Sequence, residues 1–204
     1  MSKTILDKFN EKPNILNRTF KIKKLNKKED NSFEVTNELL NELMIPEENL
    51  NVIKFIFYEL TGNIYDHSEF NEACISGRFN NGKYDFIIKD NGISIIDSFR
   101  NANYPFENEC DALIKAVNGL STKNDLGYIE RGTGLNNTSN IVVNGFEGEI
   151  LIISGHATLY INKEKIIAQK IPKEFGNGTT IHIRVDLSSK IDMYNYLNQI
   201  EYIL

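Results

Sequence analysis

Residues 46–67 carry a long amphipathic stretch that limits the fold more than any other feature of the chain. Val52, Ile53, Ile56, Phe57, Leu60 and Ile64 recur at helical spacing, so they form one apolar stripe that another element must cover. Pro46 followed by Glu47 and Glu48 reads as the helix start, with proline in the first turn and acids where the helix dipole favours them. Behind it, Asn80-Asn81-Gly82 separates two strand-like runs, 72–79 and 83–89. Asn-Gly between two such runs is a strong hairpin signal. A half-buried helix leading into an antiparallel hairpin is the kernel of a helix layer packed on a sheet.

The rest of the chain extends that kernel. Residues 1–17 read as an arm or a short helix broken at Pro13 and Asn14, and Arg18–Leu25 reads as an edge strand guarded by lysines. Helical patterns follow at 33–44, 107–117 and 135–144, with Gly119 as a stop. Strand-like runs lie at Glu149–Ser154, Ala157–Ile161, Ile166–Gln169 and Thr179–Val185, and an amphipathic pattern with Ile191, Tyr194, Leu197 and Ile200 predicts a closing helix over 186–204. Helices come mostly first and strands later. That order predicts an α+β two-layer sandwich, a mixed, mainly antiparallel sheet with helices on one face, and not a Rossmann series. The 204 residues make one domain: an arm and edge strand (1–33), a core (34–185) and a C-terminal helix (186–204).

Composition narrows the function classes. A net charge of −5 argues against general nucleic-acid binding, which needs a basic excess. Cys74 and Cys110 lack the spacing of a zinc site or a disulfide framework. No leader and no run of about 18 apolar residues is visible, which predicts a cytoplasmic protein with no membrane partner.

Four short motifs carry chemistry. Glu59, Asn63 and His67 fall at i, i+4 and i+8 of the long helix, a polar row at the rim of the apolar stripe. A carboxylate, an amide and an imidazole there suit oxygen coordination of a metal and activation of water, though the wet edge of an ordinary helix has the same look. Asp90-Asn91-Gly92 ends a strand, where a carboxylate can accept from a ligand, or simply turn the chain. Gly119-Leu-Ser-Thr-Lys123 and Glu130-Arg131-Gly132-Thr133-Gly134-Leu135 lead into a helix whose free N–H groups could hold phosphate. Neither a P-loop nor a Rossmann fingerprint is present. Gly178-Thr179-Thr180-Ile181 opens the last strand.

Taken in order, ELTGNIYDH (59–67), DNGIS (90–94), RGTGL (131–135) and GTTI (178–181) resemble the N, G1, G2 and G3 boxes of the GHKL superfamily of ATPases and kinases. The resemblance covers roughly 34–185 and implies ATP and Mg²⁺ as cofactors. By that resemblance Glu59 would orient or deprotonate the attacking water, and Asn63 would bind Mg²⁺. Asp90 would accept from the adenine amino group, Gly92 would let the base sit close, and Thr179 would support the adenine end. Gly132 and Gly134 would line the triphosphate, Leu135 would belong to the nucleotide site, and Lys123, in a lid over 119–134 that closes on ATP, would meet its terminal phosphate. One departure stands out: Ser94 replaces the second glycine of the G1 pattern, which brings the path of the loop after Gly92 into question. The resemblance implies a nucleotide-dependent switch or weak ATPase acting on an unidentified partner protein. A serine kinase of the anti-sigma type and a non-enzymatic module with a decayed site are the alternatives, and a homodimer is left open. The chain shows neither the phosphoacceptor hairpin expected of a histidine kinase nor the transducer domain expected of a gyrase.

Overall fold

A computed structural model describes residues 20–120, 133–172 and 177–197. In chain order they form β1 (Lys21–Leu25), α1 (Ser32–Glu42), α2 (Glu47–His67), β2 (Ala73–Asn80), β3 (Lys83–Asp90), α3 (Ile95–Asn101), α4 (Glu109–Val117), α5 (Thr133–Asn140), a π-helical turn (Ile141–Gly145), β4 (Glu149–Ser154), β5 (Ala157–Ile161), β6 (Ile166–Lys170) and β7 (Thr179–Val185). The protein is α+β. Among the described residues seven strands make one sheet in the order β1-β2-β3-β7-β4-β5-β6.

The hairpin forms where the sequence places it. β2 and β3 pair from Ala73↔Asp90 to Asn80↔Lys83, and the two-residue turn has φ +52° at Asn81 and +79° at Gly82, the left-handed pair that matches strand twist. Every described pairing is antiparallel, in line with the mainly antiparallel sheet expected. The physical reason is β7. It inserts between β3 and β4 and runs antiparallel to both, so the two strands joined by the helical excursion α3–α5 are parallel to each other but never neighbours.

The sheet turns one face to the helices. Ile75, Ile88, Ile181, Ile152 and Leu159 stand in one cross-strand row, and Phe57 of α2 packs edge-on to Phe86 with ring centroids 5.3 Å apart. Phe57, Leu60, Ile53 and Ile56 of the predicted stripe are essentially without solvent contact. Each contributes on the order of 1.5–3 kcal/mol by burial. On the opposite face Asp85 takes Arg78 Nη2 at 2.9 Å, Arg184 Nε at 2.7 Å and His182 Nε2 at 3.3 Å. Burial pushes the Asp85 carboxyl up, but the His182 and Arg184 hydrogen bonds outweigh it and hold it well below its ordinary value. His182 is thereby a structural group.

Two local expectations are corrected. The helix expected over 186–204 is absent from 186–197, where the chain has only a short 3₁₀ turn at Met193–Asn195; residues 198–204 lie outside the described residues. Asn49, fully buried on α2, explains the loss. Its Nδ2 donates to the carbonyls of Leu187 and Ser189 at 3.1 and 3.0 Å, so these groups bond to Asn49 and not along a helix. Ile191 still packs inward, against Gly145 at the end of the π turn. The helix expected over 135–144 instead starts at Thr133 and changes to π winding from Ile141. Among the described residues no helix is long and apolar enough to cross a membrane.

Candidate functional site

A cavity with about 800 Å³ of empty space, its open mouth included, lies between α2, α3, the start of α5 and the strand ends of β3 and β7. Asn63, Asp90, Leu135 and Thr179 all line it, although 116 residue positions separate the first from the last. His67 lines it too. The walls are mostly apolar, with Ile88, Ile93, Phe99 and Ile181 among them, so the cavity suits a flat, largely apolar group read by a few polar atoms.

Asp90 is the buried charge of the site, only 3% exposed at the end of β3. Burial raises its carboxyl above the ordinary value, and the backbone N–H groups of Gly92 and Thr179 pull it partly back. The Gly92 contact is 2.8 Å to Oδ1. A carboxylate has about four lone-pair positions, so acceptor capacity is left for a ligand.

Gly92 works differently from the sequence expectation. It is not among the cavity-lining residues. A Cβ there would lie 1.9 Å from the Ser68 carbonyl oxygen and 2.7 Å from its carbon. Gly92 therefore lets the loop after Asp90 dock on the C-terminal end of α2, where Ile93 N–H bonds the same Ser68 carbonyl. Gly178, with φ +80°, makes the matching approach from β7: its Cβ would lie 2.3 Å from the Asp90 carbonyl oxygen. Two glycines thus clamp the Asp90 backbone between α2 and β7.

Ser94 does not disturb the loop. Its φ of −69° and ψ of 158° are ordinary, and its side chain caps α3 by accepting from Asp97 N–H while Oγ donates to Asp97 Oδ2 at 2.7 Å. The sequence reading missed α3, whose residues Ile95, Ser98 and Phe99 line the cavity. Ser94-x-x-Asp97 before an apolar group was the available signal, a variant of the capping box.

Glu59 lies one turn before Asn63 on α2 and is half-buried. Burial alone raises its carboxyl. A Cβ on Gly134 would lie 2.2 Å from Glu59 Oε2, so Gly134 admits the carboxylate against the first turn of α5, next to Leu135 on the cavity wall. A carboxylate of raised proton affinity beside a helix N-terminus can take a proton from water held there. Lys123, Gly132 and positions 121–132 of the lid expected over 119–134 lie outside the described residues. Among the described residues no group of three or more His, Cys, Asp or Glu side chains could hold a metal ion, so a cation here would depend on Asn63 together with oxygens from a ligand and water.

Compared with known proteins, the chain matches no protein-family model, and no curated protein matches it in sequence.

Proposed function

We propose that the protein binds Mg²⁺-ATP in this cavity and works as a nucleotide-dependent switch or weak ATPase of GHKL type that acts on a partner protein. The observation that carries the reading is the convergence of Asn63, Asp90, Leu135 and Thr179, one from each of the four separated boxes, on a single cavity. Asp90 accepts from an exocyclic amino group, and the apolar walls hold the ring. Mg²⁺ takes oxygen ligands and keeps several waters, so a single amide oxygen from Asn63 fits it when phosphate supplies the rest. The bound triphosphate supplies a phosphoanhydride bond, and Glu59 receives the proton of the attacking water. The raised proton affinity of Glu59 and its place against Gly134 favour hydrolysis over a decayed site.

Displacement of a fluorescent ATP analogue from the purified protein, with Mg²⁺, tests the reading. ATP should displace it and GTP should not. No displacement at about 1 mM ATP, where even an affinity of about −4 kcal/mol registers, would sink it.

A further inference from the structure

β6 ends the sheet. β5 pairs with it on one side, and among the described residues no strand pairs with it on the other. The ladder fixes which of its backbone groups point outward. Asn162 and Lys165 exchange both backbone bonds, at 3.0 and 3.3 Å, and Ile171 N–H donates to the His156 carbonyl at 2.9 Å. Bonded pairs alternate along an antiparallel ladder, so between these two ends the bonded pairs are Tyr160↔Ile167 and Thr158↔Gln169. The N–H and C=O groups of Ile166, Ala168 and Lys170 therefore face away from β5. Such an edge is a template for a further strand. The opposite edge of the sheet is guarded, since β1 has three lysines in its five residues. β6 has one lysine, at its end, and leaves Ile166 67% exposed.

We propose that β6 pairs antiparallel with β6 of a second copy of this chain, about a two-fold axis at Ile167, and so joins the two sheets into one. Charge selects both the register and the occupant. A two-fold axis sets opposite each other residues equally spaced from it. Glu164 and Lys170 stand at equal spacing on either side of Ile167, and both are exposed. Each Glu164 then meets Lys170 of the other copy. Ile166 and Ala168 exchange backbone bonds across the axis, and Ile167 faces its own copy, apolar against apolar. An axis at Ala168 would set Lys170 against Ile166, and one at Ile166 would set Glu164 against Ala168; neither makes this ion pair. The segment is thus complementary to itself, which favours a second copy over a foreign strand.

Light scattering and cross-linking test this. Wild type at about 100 µM should be a dimer. Ala168→Pro removes an N–H that β5 does not use, and proline is tolerated on an edge strand, so this variant should be a monomer with an unchanged circular dichroism spectrum. Opposed residues of a non-bonded pair have Cα atoms about 4.5 Å apart, within the roughly 4.4–6.8 Å of a disulfide. With Cys74 and Cys110, both free thiols, replaced by serine, Ile167→Cys should give a covalent dimer on mild oxidation and Gln169→Cys should not. A monomeric wild type overturns the proposal, whether the Ala168 amide then exchanges freely or is protected by another part of the chain. So does a dimer that persists in Ala168→Pro, or cross-linking at Gln169→Cys as fast as at Ile167→Cys. If Ala168→Pro fails to fold, the two cysteine variants decide. No cavity residue is altered, so these outcomes are independent of nucleotide binding.

Discussion

Glu59 and Asp90 are both carboxylates that burial makes less acidic, but only Asp90 has backbone donors to offset the cost. For Glu59 the sign is plain. A folded-state pKa above the unfolded value means the folded protein holds the proton more tightly. The resulting stability is full below the unfolded pKa and is lost as pH rises through the folded one. At neutral pH the ionised Glu59 therefore works against the fold. Glu59→Gln should raise the melting temperature slightly at pH 7, on the order of a degree given its partial exposure, and the gain should vanish near pH 4, about the ordinary glutamate pKa. Thermal melts at the two pH values check this; a gain equal at both would mean that the charge is not the cause. Ser94 gives a second residue-scale prediction. Ser94→Ala removes the cap of α3 and should cost about 1 kcal/mol in denaturant unfolding, whereas Ser94→Gly should cost only a few tenths. Equal costs would refute the capping role. The motif residues were legible because their types and order survive without geometry. The close approach of Gly178 to the Asp90 carbonyl was not, since a glycine ahead of a strand has no signature until the strand beside it is known.

At the scale of elements, glycines set how closely the pieces of the site approach, and the atoms they face predict opposite outcomes. Gly92 faces backbone at the end of α2, which cannot step aside. Gly92→Ala should destabilise the protein by about 1–3 kcal/mol or more. Gly134 faces the far end of the Glu59 side chain, which can swing away. Gly134→Ala should leave stability nearly unchanged and instead move the Glu59 carboxylate, lowering ATP turnover while sparing ATP affinity. Unfolding curves and steady-state assays of the two variants separate these effects; a Gly134→Ala protein with normal turnover would contradict the role given to Glu59. The long helix and the hairpin were readable because their signals are local, an apolar stripe and an Asn-Gly turn. The C-terminal helix was misread because its pattern is equally local, while Asn49, which takes the carbonyls of Leu187 and Ser189, is more than 130 positions away. Apolar spacing showed which residues face inward, and Ile191 does, but not what backbone presents them.

Across the whole molecule, the insertion of β7 between β3 and β4 builds the site. It brings Thr179 beside Asp90 and places both at one end of the helix-covered face, against α2. Layer class could be read from the order of helices and strands. The place of β7 could not, because strand partners far apart in sequence leave no local trace. The central claim is that this convergence makes one adenine-nucleotide pocket with Asp90 as its base-reading group. Titration calorimetry of Mg²⁺-ATP into wild type and Asp90→Asn tests it most directly. Saturable binding by wild type, weakened at least about tenfold in a folded Asp90→Asn protein, is the predicted result; equal binding by both proteins, or none by wild type at about 1 mM ATP, would contradict it.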